Sequence, residues 1–274
     1  MDIIKAEKLV CTNEYGHGEC RSLDEVSFSV SKGELICVLG AAGAGKTSLV
    51  HALTGLLPLC GGDLYVSDMD CRNGDKHWDI RKICGVVFEN AEDRYISNSV
   101  HTELGFAAGN FGKEIAEIEK NAAEALALVG LAGYENRSVP LMTAFERYRL
   151  AIAAILVYEP EIILIDSIAE RFDEQQRRTI LDIVSALHKS GKTIVYTSRN
   201  SQDAVTADRV MVLKDGRILD CDRPDKIITN AELLKEAGLE LPFTVRVYYD
   251  LLDAGVKLER CPLVIDELVE EICK

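Results

Sequence analysis

Residues 34–48 read ELICVLGAAGAGKTS, and this stretch decides the fold. The apolar run to Leu39 is too short for a helix and reads as a buried strand. It is followed at once by a glycine-rich turn, and a helix-like run continues from Thr47 to about Leu57. Positions 40–47 match G-x-x-x-x-G-K-[ST], the phosphate-binding loop between a strand and a helix. Its glycines let successive backbone N–H groups turn toward phosphate oxygens. The predicted nucleotide-binding residues are Gly40, Ala41, Ala42, Gly43, Ala44, Gly45, Lys46, Thr47 and Ser48. Lys46 would reach the β and γ phosphates, and the Thr47 hydroxyl would ligate Mg2+. Glycine makes up about 7% of ordinary residues, so about one chain per hundred of this length matches by chance. The strand and helix context lowers that further. A metal-supporting carboxylate should end a later apolar strand, and EIILID (161–166) supplies Asp166.

Working outward, strand-like runs recur at Val26–Val30, 85–88, 162–165, 193–197 and 210–213. Between them, Ile115, Ile118, Ala122, Ala125, Leu126 and Val129 repeat at helical spacing, as do Ile180, Val184 and Leu187. Strands alternating with helices predict an α/β fold with a mostly parallel sheet covered on both faces. Composition shifts near Pro224, which predicts one α/β unit over 1–223 and a small helical unit over 224–274. Three short helices are expected in the latter. Asn230 caps the first, Pro242 opens the second, and the third starts near Asp266.

The chain has 274 residues, 47% hydrophobic and 28% charged, an ordinary globular balance. A net charge of −14 argues against nucleic acid as a partner. No run of 18 apolar residues occurs, so no membrane span is expected, and the amino terminus lacks the layout of a signal peptide. Nine cysteines (11, 20, 37, 60, 71, 84, 221, 261 and 273) form no CxxC pair. That pattern predicts reduced, buried thiols in a cytosolic protein.

From Asp2 to Leu219 the chain resembles an ABC ATPase domain. The resemblance is carried by LDEVSFSVSKGELICVLGAAGAGKTSLVHALTGLLP (23–58), VVFENAEDR (86–94) and ADRVMVLKDGRIL (207–219). The tail, 233–272, resembles the carboxy-terminal domain of energy-coupling factor transporter ATPases. The resemblance implies an ABC-type P-loop NTPase fold with an antiparallel β edge, a helical signature subdomain and a small C-terminal helical dimerisation domain. It implies ATP and Mg2+ as cofactors, held by Thr47, Asp166 and Glu89. It further implies three partners: a second ABC ATPase subunit, a transmembrane coupling subunit and a substrate-binding membrane subunit. The place would be the cytoplasmic face of the cell membrane, and the cargo a vitamin or metal ion.

The departures from the family pattern gather at the chemistry. The signature LSGGQ aligns with Met142–Glu146. Thr143 keeps a hydroxyl, but Ala144 and Phe145 replace glycines whose N–H groups approach the partner's γ-phosphate. The phenyl ring is expected to obstruct that approach, and Glu146 to add negative charge beside it. Ser167 stands where the family places a catalytic glutamate, Arg199 where it places the switch histidine, and Glu89 where it places the Q-loop glutamine. Asp173 keeps the D-loop aspartate and also forms a capping-box pattern with Gln176. Tyr15 is the candidate for adenine stacking. Glu92 and Asp93 are candidates for docking the scaffold's arginines, with a solvated acidic turn as the alternative.

A serine hydroxyl is no base at neutral pH, and losing a positioned base costs roughly 100- to 10,000-fold. The sequence therefore predicts an ATP-binding motor subunit with impaired hydrolysis, working in an ATPase heterodimer. The alternatives are a competent ATPase in which Glu89 compensates for Ser167, and a purely regulatory pseudo-ATPase. A soluble ABC protein of translation or DNA repair is disfavoured, since neither a second ATPase domain nor a long coiled-coil insertion is present.

Overall fold

The computed structural model describes residues 1–12, 21–168, 171–256 and 258–273. Four parallel strands lie at its centre: β3 (Leu35–Leu39), β6 (Cys84–Val87), β7 (Ile162–Ile165) and β8 (Thr193–Ser198). With β9 (Arg209–Lys214) and β10 (Arg217–Asp222) they form one sheet ordered β10-β9-β3-β8-β7-β6, antiparallel only between β9 and β10. Side chains alternate along each strand. Leu35, Cys37 and Leu39 enter one core, while Ile36 and Val38 enter the other. A strand buried on both faces reads as an unbroken apolar run, which is why LICVL and IILI look as they do.

A second, antiparallel sheet contains β1 (Asp2–Thr12), β2 (Arg21–Ser31), β4 (Leu59–Val66) and β5 (Met69–Asp70), in the order β2-β1-β4-β5. It covers one face together with α1 (Lys46–Leu53). β4 carries no strand signal in the sequence, because Gly61 and Gly62 interrupt it. Gly62 has φ +72°, and a Cβ there would lie 2.0 Å from the Lys8 carbonyl oxygen, so the glycine permits a kink against β1.

The opposite face is covered by α3 (Val100–Asn110), α4 (Ile115–Leu128), α5 (Ala144–Leu156) and α6 (Glu174–Lys189). The first three pack on one another as a helical unit. α2 (His77–Ile83) leads into β6.

Beyond residue 223 the chain does not leave the core at once. α7 (Pro224–Ile227) lies on β9 and β10, and α8 (Ala231–Glu236) follows, capped by Asn230 Oδ1 accepting from the Leu233 N–H. Ile227, Ile228, Leu234, Ala237 and Leu239 are buried in the same core as β3. The expected break at 223 therefore falls inside a continuous apolar cluster. Among the described residues past 223, α9 (Phe243–Asp253), with Pro242 just before its first residue, and α10 (Ile265–Ile272) lie outside it as a pair.

Among the described cysteines, Cys11, Cys37, Cys71 and Cys84 are buried, whereas Cys60 and Cys273 are exposed and Cys221 and Cys261 half-buried. The reading of buried thiols holds for Cys11, Cys37, Cys71 and Cys84, and fails for Cys60 on β4 and for Cys273. Burial pushes the Cys11 and Cys71 thiols up to about 12, so they stay protonated. No helix among the described residues is long and apolar enough to cross a membrane.

Candidate nucleotide site

The topology assembles the site. β3, β8, β7 and β6 are adjacent and parallel, so their carboxyl ends share one sheet edge. The phosphate loop follows β3, Arg199 follows β8, Asp166 and Ser167 follow β7, and Glu89 comes two residues after β6. Ligands of open α/β sheets bind at that edge.

Within the loop Gly45 has φ +105°, and a Cβ there would lie 2.4 Å from the Ser22 carbonyl oxygen. Only glycine fits so close to β2 in that conformation. Gly43 also has positive φ, +79°, but stands at the open crest, with nothing within 4 Å of an added Cβ. Lys46 is buried, and its Nζ donates to the carbonyl oxygens of Gly40 (2.6 Å) and Ala41 (3.0 Å), closing the loop around it. Ala42, Gly43 and Thr47 remain exposed. Gly45 precedes α1 without any side-chain cap, leaving the first N–H groups of that helix for a ligand.

Asp166 is buried, and its Oδ1 accepts from Thr47 Oγ1 (3.2 Å) and Thr197 Oγ1 (3.3 Å). Thr197 Oγ1 in turn accepts from the Ser167 N–H at 2.7 Å. Thr197 thus ties β8 to the end of β7, a role no sequence signal pointed to. Burial raises the Asp166 pKa above its ordinary value, and the Glu89 charge adds to this. The two threonine hydrogen bonds and His51 oppose it. Oxygen ligands converging beside a phosphate loop suit Mg2+. Ser167 is buried with φ +60°, while Glu89 and Arg199 are exposed. Tyr15 and its neighbour Asn13 fall outside the described residues.

The signature segment takes a different form. Thr143 caps α5, accepting from the Glu146 N–H at 3.2 Å. Glu146 Oε2 accepts from the Thr143 N–H (2.8 Å) and hydroxyl (3.0 Å). This is a capping box. Glu146 Oε1 also accepts from the Tyr134 hydroxyl (2.7 Å) and Arg137 (3.3 Å). These contacts, the Tyr134 hydrogen bond foremost, hold its carboxyl below the usual range. The expected free negative charge is instead neutralised within the chain. Phe145 is half-buried and meets Phe172 edge-on at 5.3 Å between ring centroids, with the Arg149 guanidinium 4.7 Å from its ring centre. Expected to stand in the phosphate's approach, the ring packs back onto its own subunit. Ala144 is exposed beside it.

Asp173 caps α6, and Asp173 and Gln176 form the second capping box. The acidic pair after Glu89 separates. Glu92 is buried, its carboxylate 3.1 Å from Arg171 Nη1 and its carbonyl accepting from Arg147 Nε at 2.7 Å. Its burial excludes the solvated acidic turn for Glu92, whose carboxylate is paired within the chain. Asp93 is exposed and lies 3.7 Å from Arg171 and 3.9 Å from Arg147. The partners that sequence reading missed (Tyr134, Arg137, Arg147 and Arg171) are ordinary residues without motif spacing; only the folded chain brings them in.

Comparison with known proteins gives these features a family. The ABC transporter family profile matches residues 23–170, more than half of the chain. The chain is similar to the cobalt import ATP-binding protein CbiO of Syntrophus aciditrophicus, with 33% identity over 94% of this chain and 92% of that one. It is also similar to the energy-coupling factor transporter ATP-binding protein EcfA1 of Clostridium novyi, with 31% identity over 100% of this chain and 98% of that one. In fold it is similar to the solved structure of CbiO1 from Clostridium perfringens, part of the ABC transporter complex CbiONQ. That match has a TM-score of 0.76 at 24% identity, covering 90% of this chain and 98% of the other. The chain belongs to the ABC transporter family of ATP-binding proteins, and its relatives include energy-coupling factor ATPase subunits.

Proposed function

We propose that this chain is an ATP-binding subunit of an energy-coupling factor importer for a vitamin or metal ion, impaired in hydrolysis and paired with a second, more intact ATPase. The observation that carries the proposal is the contrast at one sheet edge. The phosphate loop and Asp166 are formed for Mg-ATP, while the next position, Ser167, holds a hydroxyl that cannot take a proton from water at neutral pH. Lys46, Thr47, Asp166 and the loop N–H groups would hold the nucleotide. Bound Mg-ATP supplies the phosphoryl group and the charge that the loop neutralises. The Arg199 guanidinium offers N–H donors and no acceptor in place of the switch histidine.

A self-pair would join two such sites to two signature turns that lack glycine. A heterodimer would place this chain's loop against the partner's good signature, and the partner's loop and glutamate against Thr143–Glu146. The exposed apolar residues of the C-terminal pair, Phe243, Ile265, Val269 and Ile272, suit a subunit contact there. The transmembrane coupling subunit would dock near exposed Asp93 and bring the substrate-binding membrane subunit, which places this chain at the cytoplasmic face.

The test is ATP binding and turnover by the isolated chain. Firm binding with little turnover is expected, and Ser167→Glu alone should restore little, because residues acting as a unit are far from additive. One observation favours a second reading: Glu89 and Ser167 line the same small cavity, which puts a carboxylate beside the position of the missing base. Robust turnover by the unmodified chain, abolished by Glu89→Gln, would establish that reading and overturn the first.

A further inference from the structure

Thr197 is fully buried and stands next to last on β8, the strand between β3 and β7. Side chains alternate along a strand, so Thr197 shares its face with Val195. Asp166, one residue past β7, continues the face of Ile162 and Leu164. Those three apolar residues all lie in the core that α1 covers. The alternation therefore delivers a hydroxyl and a carboxylate to the side of the sheet on which α1 begins with Lys46 and Thr47. A buried hydroxyl on a central strand needs partners, and Thr197 finds them at the nucleotide site.

Each threonine hydroxyl has one proton to give. Thr197 Oγ1 accepts from the Ser167 N–H at 2.7 Å and gives its own proton to Asp166 Oδ1 at 3.3 Å. Thr47 Oγ1 gives its proton to the same carboxylate oxygen at 3.2 Å, which leaves its lone pairs for a cation. The Thr197 carbonyl accepts from the next N–H, that of Ile168, at 2.9 Å. One residue thus takes two successive N–H groups of the chain leaving β7, and between them Ser167 turns at φ +60°. A left-handed φ is uncommon for residues other than glycine and persists where the surroundings hold it. Without the hydroxyl, a buried N–H would lose its acceptor and Asp166 one of its two hydroxyl donors.

We propose that Thr197 is a positioning residue for the metal half of the nucleotide site: its hydroxyl fixes the Asp166 carboxylate beside Thr47 and locks the left-handed turn at Ser167. The proposal rests on the reading of this chain as a binder of Mg-ATP. The two bonds of the hydroxyl act together. The Ser167 N–H fixes where the oxygen stands, and the proton it gives fixes the rotation of the carboxylate. Lys46 and the loop N–H groups, which would hold the phosphates, stand outside these bonds. The loss of the hydroxyl should therefore fall on the metal-dependent part of nucleotide affinity.

The experiment measures ATP affinity of the full chain by calorimetry, with Mg2+ and again in EDTA, for the unmodified chain, Thr197→Val and Thr197→Ser. Thr197→Val should lower the Mg2+-dependent gain in affinity threefold or more and leave the EDTA affinity within about twofold. Thr197→Ser keeps the hydroxyl and should restore most of the gain. In an Asp166→Asn background Thr197→Val should change the gain no further, because both act through one carboxylate. Equal losses with and without Mg2+ would mean a structural role alone, and an unchanged gain would mean no role; either overturns the proposal. A second measurement needs no variant. Asp166–Ser167 is the one Asp-Ser pair in the chain, so carbon-labelled aspartate with nitrogen-labelled serine isolates the Ser167 amide by NMR. Should Thr197→Val fail to fold, that amide decides: it should move with Mg-ATP and not with ATP in EDTA. An amide that answers both alike overturns the proposal. An unmodified chain that binds no ATP, or gains nothing from Mg2+, would instead sink the functional reading before any variant is made.

Discussion

The phosphate loop and the signature turn are both helix starts, and they manage their free N–H groups in opposite ways. Gly45 introduces α1 with no side-chain cap and no acidic residue in the first turn. Thr143 and Glu146 close the start of α5 with a capping box, and Tyr134 and Arg137 hold the carboxylate in place. A helix start binds an anion when its own side chains leave the donors open, and becomes a structural joint when they do not. The first arrangement keeps a ligand site at the expense of local stability. The second gains local stability by engaging the Glu146 N–H with the Thr143 hydroxyl.

The comparison breaks most visibly at Lys46. Lys46→Ala should weaken Mg-ATP binding by roughly 10- to 150-fold, since one charge-assisted contact is worth about 1.5–3 kcal/mol. Calorimetry would check it, with a thermal scan to confirm that losing the Gly40 and Ala41 contacts leaves the fold intact. Unchanged affinity would remove the loop from the site.

On the signature side, the expected change is in stability first. Phe145→Ala removes a half-buried ring from Phe172 and Arg149 and should cost about 1–3 kcal/mol, less than a fully buried ring would. Denaturant unfolding would measure it. Ala144→Gly with Phe145→Gly should raise turnover of the proposed heterodimer while lowering the stability of this chain further, through glycine in a helix. A gain in turnover without loss of stability would mean that the aromatic packing is incidental.

Glu146 gives a smaller effect with a defined pH sign. Glu146→Ala should cost about 0.5–2 kcal/mol, in the range for losing a cap, and Glu146→Gln less, because glutamine also completes a capping box. Its folded pKa is depressed, so its contribution is present above the ordinary carboxylate value and lost as pH falls through the depressed one. The wild-type advantage over Glu146→Gln should therefore vanish in acid, as paired unfolding curves would show.

Asp166 has the opposite sign. Its pKa is raised, so the ionised form costs the fold above that value, and the cost disappears as pH falls through it. Mg2+ requires the carboxylate. Mg-ATP affinity should fall as pH drops through the raised value, with proton release on binding near it, measurable by calorimetry in buffers of different ionisation enthalpy.

Much of this was legible from short stretches. Ile162–Ile165 is a strand over the expected residues, and α4 begins at Ile115 as its spacing predicts. The loop glycines fall where positive φ and close approach require them. β4 was not legible because two glycines and Pro58 hide a strand whose partner, β1, lies about 50 residues earlier. Nor was the core's continuation past residue 223. Ile227, Ile228 and Leu234 look like one face of a small separate helix until β9 and β10 are placed beside them.

The sequence by itself determined the phosphate loop, the parallel α/β core and the identities of Ser167 and Arg199 at their positions. Each depends on residue type and on spacing within a few residues, which is the range over which backbone geometry is set. Only the tertiary structure decided which charges are already spent. Glu92 is neutralised by Arg171, 79 residues away, and its carbonyl is held by Arg147, 55 residues away. Glu146 is held by Tyr134 and Arg137 from a preceding turn, and Phe145 is turned aside by Phe172. A side chain's chemistry is fixed by its atoms, but its availability is fixed by what surrounds it, and those neighbours come from distant parts of the chain.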